Sequence, residues 1–388
     1  MTLNNDQKNA KDEMYTSVDA RENHVLMGFA GTGKTYLLSE IYKEMLASGR
    51  QVAFCTPTNK AAKVAREMGV ASACTVYQLL CLAYKDGVMF QYKFPEFEDV
   101  EIIIIDECSM VNKMIMGLLE KYVPAEIPII FVGDPYQLPP VKEEISLSFD
   151  TKNKSTLTEI VRQAAGSPII EYSMDIRKNG FNYKKIPFDG KSILSIPPKK
   201  FLATVLNTYK GGGVTAAWTN KTVDAINYKA HTAIYGEGAD DFCVGEKIVL
   251  GDPLLDPFDD SIVATVGDEF VVKSISSMGY AGYDAWGITT ECDKKIYAIQ
   301  EKEKAKYQAQ LTRYYQAKDN FGYWKLKNRF TDIKLPYAST CHKLQGSTYS
   351  RVVIVGSDIG RNWIEKDRNK CAYVAVTRAA DKIGFLEE

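Results

Sequence analysis

The 388 residues are enough for about two to three domains of typical size, and 45% apolar with 25% charged residues is an ordinary globular composition without an apolar run of membrane-spanning length. The 48 basic and 49 acidic residues give a net charge of −1, so nucleic-acid binding would require cations concentrated in one groove. Eight cysteines without a CxxC pair, only three histidines and a polar stretch at 1–21 disfavour a zinc site and a signal peptide, and predict a cytoplasmic protein with reduced thiols.

The first third of the chain alternates short apolar runs with helical patterns. Strands are predicted at 24–27, 51–55, 100–105 and 127–132, and helices at 35–47 and 59–67. Strands that alternate with helices predict βαβ units and a parallel sheet. The apolar run 102–105 is typical of a strand buried on both faces.

Between these strands, residues 84–100 contain a hairpin signal. Asp86-Gly87 favours a tight turn, and after it Phe90, Tyr92 and Phe94 alternate with polar residues. The segment predicts a projecting ribbon with one aromatic face.

The rest of the chain changes pattern twice. A polar stretch at 150–155 predicts a linker, and a strand at 214–218 and a helix at 221–234 predict a second α/β region. Short strands at 246–250, 269–275 and 287–291 predict a small β-barrel, which is accompanied by a polar helix at 298–317. The α/β pattern resumes at 337 and includes a strand at 352–355. The predicted boundaries are a first core at 1–152, a second core at 153–240 and 336–388, and an inserted barrel with its helix at 241–335.

Residues 28–35 read GFAGTGKT and match the phosphate-binding pattern GxxxxGK[ST]. The segment follows a predicted strand and begins a predicted helix, where glycines allow backbone N–H groups to converge on phosphate oxygens. Lys34 would place its charge on the β- and γ-phosphates, and the Thr35 hydroxyl would ligate Mg²⁺. The expected nucleotide-binding residues of this loop are Gly28, Ala30, Gly31, Thr32, Gly33, Lys34 and Thr35.

Two acids, Asp106 and Glu107, follow the buried strand. Asp106 is expected to hold Mg²⁺, and Glu107 to orient or deprotonate the attacking water. Alone, the pair would be interpreted as two solvated acids at a strand end. Together with the upstream phosphate loop, it predicts hydrolysis of a nucleoside triphosphate without indicating what the hydrolysis drives.

Six further segments resemble motifs of the superfamily-one helicases, and they occur in the family's order. They are NDQ at 5–7 (Q motif), CTPTNKAA at 55–62 (Ia), GDPYQLPP at 133–140 (III), LTEIVRQ at 157–163 (IV), YASTCHKLQGST at 337–348 (V) and YVAVTRA at 373–379 (VI). The form of motif V and the compact size are similar to the RecD/Dda branch. The resemblance implies an α/β fold of two RecA-like P-loop cores with parallel sheets, a β-hairpin pin in the first core and a small β-barrel inserted in the second.

The resemblance also implies roles for single residues. Arg162 and Arg378 would present cations to the γ-phosphate, Gln137 would sense that phosphate, Gln7 would read adenine, and Gly346 would border the nucleotide. The expected nucleic-acid contacts are Thr56, Pro57, Asn59, Thr75, Tyr77, Phe90, Thr340 and His342. Each has an ordinary alternative, such as a surface arginine, an exposed terminal glutamine, a structural histidine or an aromatic ring that only packs the hairpin. The family often has Thr-Ile-His where this chain has Thr75-Val-Tyr77, so the role of Tyr77 stays open.

The resemblance implies an ATP- and Mg²⁺-dependent DNA helicase that moves 5′→3′ on single-stranded DNA and unwinds duplex. Its expected partners are single-stranded DNA and the DNA fork, with single-strand-binding or replication proteins as further candidates. We expect a monomer that binds no membrane and works in the cytoplasm, the host's if the gene is phage-encoded. The alternatives are an RNA helicase of the same superfamily, a nucleic-acid-stimulated ATPase that does not unwind, and a metabolite kinase. The cysteine pattern disfavours the first, the hairpin the second, and a second core with Thr377-Arg378 the third.

Overall fold

A computed structural model describes residues 3–85, 88–161, 166–256 and 262–387. Two compact units divide the chain, the first with Met1–Leu82, Gln91–Val223 and Ser339–Glu388, the second with Ala83–Phe90 and Asp224–Ala338. Arg162 and the turn Asp86-Gly87 lie outside the described residues. In the part of the chain that is described, no helix is both long and apolar enough to cross a bilayer.

The first core is built on a six-stranded sheet in the order β3-β2-β6-β7-β1-β8, and its neighbouring strands are parallel. Its elements are α1 (Asn5–Asp19), β1 (His24–Gly28), α2 (Lys34–Ala47), β2 (Val52–Thr56), α3 (Asn59–Glu67), β3 (Cys74–Thr75), α4 (Val76–Leu79), β4 (Leu82–Lys85), β5 (Val88–Gln91), β6 (Ile102–Ile105), α5 (Lys113–Tyr122), β7 (Ile129–Gly133) and β8 (Asn153–Leu157). All four isoleucines of β6 are buried, as their apolar run predicted. Because parallel strands end at the same edge, the loops after β1, β2, β6 and β7 lie along one side of the sheet.

The predicted boundary at 152 and the predicted linker at 150–155 are wrong. β8 pairs with β1 along its whole length, from His24 opposite Asn153 to Gly28 opposite Leu157. Only Ser155 and Leu157 of this strand are buried, because β8 is at the sheet edge and its other side chains face outward. Its polar composition therefore resembles that of a linker, although its backbone completes the first sheet.

The remaining elements form a second parallel sheet and an inserted region. They are α6 (Pro168–Asn179), β9 (Ile193–Ile196), α7 (Phe201–Lys210), β10 (Val214–Ala217), α8 (Asn220–Tyr235), β11 (Lys247–Leu250), β12 (Leu254–Leu255), β13 (Ile262–Ala264), β14 (Glu269–Tyr280), β15 (Tyr283–Thr290), β16 (Lys295–Ile299), α9 (Lys304–Gln316), α10 (Asn320–Lys327), β17 (Ile333–Lys334), β18 (Ala338–Thr340), β19 (Tyr349–Ile354), α11 (Gly356–Gly360), α12 (Glu365–Thr377) and β20 (Ala379–Leu386). The second sheet has the order β18-β10-β19-β20-β9, with parallel pairs from β10 to β9. The prediction of two α/β cores with parallel sheets is confirmed.

The inserted region has an antiparallel sheet in the order β16-β15-β14-β11-β17 and a separate pair, β12 with β13. Ile248, Val272, Ile288 and Ile296 form its buried centre. The helix predicted at 298–317 begins later, because Ala298 and Ile299 complete β16 and α9 begins at Lys304. Closure of these strands into a barrel stays a prediction.

The hairpin β4–β5 forms a two-stranded sheet of its own. The prediction placed it in the first core, but residues 83–90 belong to the second compact unit, and no strand pairing among the described residues joins the ribbon to the six-stranded sheet. The predicted aromatic ribbon is also too long. β5 ends at Gln91, and the Tyr92 N–H bonds to the carbonyl oxygen of Cys81 outside the strand. Phe90 alone of the three alternating rings lies on a strand.

Candidate nucleotide and nucleic-acid sites

The phosphate loop joins β1 to α2 through residues 29–33. Gly31 and Gly33 have φ of 83° and 76°, a left-handed conformation that L side chains rarely adopt. At Gly33 a Cβ would also lie 2.5 Å from Nε2 of Gln7, so glycine is required for space as well as for conformation. The turn aims the N-terminus of α2, with its partial positive charge, at the position expected for phosphates.

Hydrogen bonds hold this loop in its turn. The Thr32 hydroxyl donates to the carbonyl oxygen of Phe29 at 2.8 Å. The Lys34 ammonium donates to the carbonyl oxygens of Gly28 at 2.7 Å and Phe29 at 3.1 Å. The amine is therefore held beside the loop, and phosphate oxygens would compete with these carbonyls for its protons.

The acidic pair follows β6, as predicted. Oδ1 of Asp106 accepts the N–H of Glu107 at 2.8 Å, and Glu107 itself has φ of 54°. Burial and, to a smaller extent, the nearby charge of Glu107 raise the pKa of Asp106 to about 7, while the Glu107 N–H and the charge of Lys34 act in the opposite direction. A non-glycine residue with positive φ is strained by roughly 1–3 kcal/mol, and here the strain orients the side chain expected to handle water.

Both cores line a cavity of about 380 Å³ at this point. The predicted nucleotide residues on its wall are Ala30, Gly31, Gly33, Lys34, Thr35, Asp106, Glu107 and Gln137 from the first core, and Gly346 and Arg378 from the second. Gly28 ends β1, and Thr32 is fully buried within the loop. The structure thus brings together residues more than 300 positions apart in the sequence, such as Lys34 and Arg378.

Two side chains on the cavity wall carry buried polar atoms that lack partners among the described residues. They are Oε1 of Gln137, 6% exposed, and Nε of Arg378, 7% exposed, although Arg378 donates from Nη1 to the carbonyl oxygen of Ser347 at 3.2 Å. A buried unpaired group costs about 1–3 kcal/mol, so a ligand that pairs with it gains affinity. Cations and backbone N–H groups suit a triphosphate, and the hydroxyl of Thr35 with the carboxylate of Asp106 suits the oxygen preference of Mg²⁺.

Gln7 is not the exposed terminal residue of the ordinary alternative, because only 2% of its surface is accessible. Its Oε1 accepts the N–H of Asn4 at 3.1 Å, and its Nε2 donates to the carbonyl oxygen of Thr32 at 3.1 Å. The side chain therefore ties the start of α1 to the phosphate loop. Its reading of adenine stays a prediction.

The threonines predicted to contact nucleic acid have buried hydroxyls that bond to the protein's own backbone. Thr56 donates to the carbonyl oxygen of Thr58, Thr75 caps α4, and Thr340 caps the 3₁₀ helix Cys341–Leu344. Thr56 and Thr75 are register partners at the ends of β2 and β3, so they share one edge of the sheet. We therefore expect the backbone at these helix N-termini to meet phosphates instead of the hydroxyls.

The other predicted contacts lie at different depths. Pro57, Asn59 and Tyr77 are partly buried near the ends of β2 and β3, and His342 is exposed after β18. Phe90 is 40% exposed on β5, and it belongs to the second compact unit. Their contacts with nucleic acid stay predictions.

Sequence reasoning missed Tyr373, Asp134 and Arg177, which join the cores. The Tyr373 hydroxyl, in α12, accepts the N–H of Ala30 at 3.0 Å and donates to Oδ2 of Asp134 at 2.6 Å. The guanidinium carbon of Arg177, in α6, lies 4.3 Å from the ring centre of Phe29 and 3.9 Å from that of Tyr136. Tyr373 lies in motif VI and Asp134 in motif III, so these motifs could have indicated them. Nothing in the sequence indicates Arg177.

Comparison with known proteins agrees with this geometry. The model of an AAA domain matches residues 2–186, and that of a UvrD-like helicase C-terminal domain matches residues 335–386. The ATP-dependent DNA helicase Dda of Enterobacteria phage T4 is 27% identical over an alignment of 439 positions, which covers 99% of each chain. The ATP-dependent RecD2 DNA helicase of Deinococcus radiodurans is 32% identical over 169 positions, covering 42% of this chain and 23% of that protein.

Solved structures show the same fold. One described as the basis for DNA unwinding at forked duplex DNA by two coordinating Pif1 helicases aligns with a TM-score of 0.56 at 17% identity, covering 99% of this chain and 92% of that one. The Pif1 helicase of Candida albicans aligns with a TM-score of 0.53 at 17% identity, covering 100% and 95%. With both ends of the nucleotide cavity inside the matched regions, the chain belongs to the superfamily-one helicases.

Proposed function

We propose that this chain is an ATP-dependent DNA helicase that moves 5′→3′ along single-stranded DNA and unwinds duplex. The observation that carries the proposal is the cavity in which Lys34, Asp106 and Glu107 of one core face Arg378 of the other. A site divided between two cores makes hydrolysis depend on their closure, which a simple metabolite kinase does not require.

The residues of the cavity have separate tasks. Thr35 and Asp106 would hold a bound Mg²⁺, which would supply positive charge to the triphosphate. Lys34 binds the phosphates, and Glu107 accepts a proton from the attacking water. Arg378 stabilises charge that develops on the γ-phosphate, and Gln137 positions the attacking water, which donates to its unpaired Oε1. Arg162 is proposed as a second cation from its place in motif IV.

Movement along DNA would come from alternating grips. The N-caps Thr58 of α3 and Thr75 of α4 put two helix N-termini at one edge of the first sheet, beside Thr56, and Thr340 puts the N-terminus of a 3₁₀ helix after β18 of the second. Backbone N–H groups at these positions bind phosphates without reading sequence. If closure of the nucleotide cavity brings the two grips together and reopening separates them, the strand advances with each ATP.

DNA is proposed as the track because the relatives named above are DNA helicases, including the T4 protein that aligns over the whole chain. The 5′→3′ direction rests on the resemblance of motif V to the RecD/Dda branch. The hairpin β4–β5, with Phe90 on its second strand, is proposed as the wedge at the fork, and the chain is proposed to act as a monomer.

The test compares ATP turnover without nucleic acid, with single-stranded DNA and with RNA of the same length, and then follows unwinding of duplexes that carry a 5′ or a 3′ tail. We expect stimulation by DNA and unwinding from the 5′ tail only, with binding weakened by salt. Stimulation by RNA alone would favour the RNA helicase alternative. Stimulation without unwinding would favour a translocating ATPase, and a turnover that ignores both polymers would exclude a helicase.

The wedge has a test of its own. Replacing residues 83–90 by a short Gly-Ser loop should leave DNA-stimulated turnover largely intact and sharply reduce unwinding, because opening a base pair costs a few kcal/mol that a stacked ring partly offsets. Loss of both activities would show a structural role, and retention of both would show that the hairpin is not the wedge.

A further inference from the structure

The Tyr373 hydroxyl makes two hydrogen bonds to two different motifs of the first core. It accepts from the N–H of Ala30 in the phosphate loop at 3.0 Å and donates to Asp134 in motif III at 2.6 Å. Tyr373 and Asp134 are each 1% exposed, and the other oxygen of Asp134 accepts the N–H of Tyr136 at 2.9 Å. One phenolic oxygen thus connects α12 to two of the first-core loops that border the nucleotide cavity.

A second contact supports the same connection. Arg177 of α6 has its guanidinium between the rings of Phe29, from the phosphate loop, and Tyr136, from motif III. Phe29 and Leu138 are buried in the hydrophobic cluster of the second core. The phosphate loop and the motif III loop, two of the loops that border the nucleotide cavity, therefore contact the second core at two places.

We propose that Tyr373 is a positioning residue that sets the placement of Arg378 against the phosphate loop, with Arg177 as its auxiliary contact. Tyr373 stands five positions before Arg378 at the end of the same helix, and the carbonyl oxygen of Tyr373 accepts the hydroxyl of Thr377 at 2.8 Å. α12 cannot shift relative to the first core without breaking both bonds of the phenol. The inference rests on the proposed ATPase function of the cavity.

The substitution Tyr373→Phe removes the oxygen and keeps the ring. Because Lys34 and the loop glycines still bind the phosphates, we expect the affinity for a fluorescent ATP analogue to stay within about threefold of the wild type. Because Arg378 loses its fixed placement, kcat for DNA-stimulated hydrolysis should fall roughly tenfold or more, as expected when a buried hydrogen bond to a charged group is lost.

Tyr172→Phe is the matched control. Tyr172 is a buried tyrosine of α6 in the same hydrophobic cluster, and its hydroxyl has no partner among the described residues. Its removal should leave kcat and KM unchanged. A double variant, Tyr373→Phe with Asp134→Ala, should lose less kcat than the two single losses combined, because both changes remove the same hydrogen bond between Tyr373 and Asp134.

The results separate the possibilities. Equal kcat for Tyr373→Phe and Tyr172→Phe, or additive losses in the double variant, would overturn the proposal. A rise in KM with unchanged kcat would show that Tyr373 only shapes the phosphate loop, which also overturns it. If Tyr373→Phe does not fold, Arg177→Lys, which keeps the charge and loses the flat guanidinium, should show the same kcat loss with retained affinity. A wild type that ignores DNA refutes the helicase function, whereas basal turnover in the variants still tests the contact.

Discussion

Two strand–turn–helix units of the molecule have the same arrangement of elements, but the groups at their helix N-termini differ. In the first core, β1 leads through the glycine-rich turn into α2, and the turn borders the nucleotide cavity. In the second core, β10 leads through Trp218-Thr219 into α8. There the carboxylate of Asp358 accepts the N–H groups of Trp218 and Thr219, each at 2.8 Å, and the hydroxyl of Thr222 at 2.7 Å.

Both helix N-termini favour a negative charge, because their first N–H groups have no partner within the helix. In the second core the chain supplies that charge itself, from a side chain that is 3% exposed. A phosphate cannot bind where Asp358 already does. In the first core glycines leave room for an external anion, so we expect the first core to bind the nucleotide and the second to contribute Arg378.

The largest effect should follow removal of Lys34, the cation beside the glycine-rich turn of the first core. Lys34→Ala takes away the charge on the phosphates, and we expect ATP turnover to fall to background with and without DNA. The measurement is phosphate release at saturating single-stranded DNA. Substantial turnover in this variant would mean that the cavity is not the hydrolytic site.

Glu107→Gln sharpens the same point, because it keeps the shape and removes the base. Binding of ATP should persist while hydrolysis stops, since an amide cannot accept the proton of water. Equilibrium binding of a fluorescent ATP analogue, measured beside turnover, separates the two. Normal hydrolysis would remove Glu107 from the role of base.

Arg378→Ala tests what the second core contributes. ATP and DNA should still bind, and hydrolysis should fall by about 10³-fold if Arg378 acts as an arginine finger. Lys382→Ala, an exposed cation on the neighbouring strand β20, is the control and should be near wild type. DNA-stimulated turnover close to normal in Arg378→Ala would contradict a site shared by two cores.

The sequence was sufficient to predict the glycine-rich turn of the first core. It was insufficient to predict the turn of the second core that Asp358 occupies. The phosphate loop has a local sequence pattern, and the burial of β6 follows from its four consecutive isoleucines. In both cases neighbouring residues are enough for the prediction. Asp358 has no such pattern, since its partner Trp218 lies 140 positions away. The Tyr373 hydroxyl likewise bonds to Ala30, 343 positions away in the sequence. Residue spacing along the chain cannot predict a contact between such distant residues.

Two patterns were present in the sequence and were weighed differently. Thr75 and Gln78 fit the capping-box spacing, and the structure shows both reciprocal hydrogen bonds of that box. The contact of Thr75 with nucleic acid stays a prediction, and because its hydroxyl already accepts the Gln78 N–H, we expect the backbone to make that contact. β8 was taken for a linker because an edge strand needs only one apolar face.

Asp358→Ala should leave the hydrogen-bond donors of the second-core turn without their carboxylate acceptor. Two partly buried N–H groups and the Thr222 hydroxyl lose their acceptor, which should cost on the order of 3 kcal/mol in the free energy of unfolding. Urea denaturation measures the loss, and Asp381→Ala, at an exposed carboxylate, should show little. ATP affinity of the folded protein should not change. A stable Asp358→Ala variant would mean that this turn does not need its internal anion.

The smallest effect is expected at Gly33 in the phosphate loop, where substitution can separate the requirement for backbone conformation from the requirement for space. Gly33 and Gly212 have nearly the same φ, 76° and 74°, but a Cβ at Gly33 would lie 2.5 Å from Nε2 of Gln7, whereas none of the described atoms lies within 4 Å of a Cβ at Gly212. Alanine at either position should cost about 1–2 kcal/mol for the left-handed backbone. Gly33→Ala must also displace Gln7, so its unfolding free energy should fall further and its KM for ATP should rise, while Gly212→Ala keeps the normal KM. Adding Gln7→Ala to Gly33→Ala should recover part of the stability. Equal losses in the two single variants would show that backbone conformation alone, and not the space beside Gln7, requires glycine in the phosphate loop.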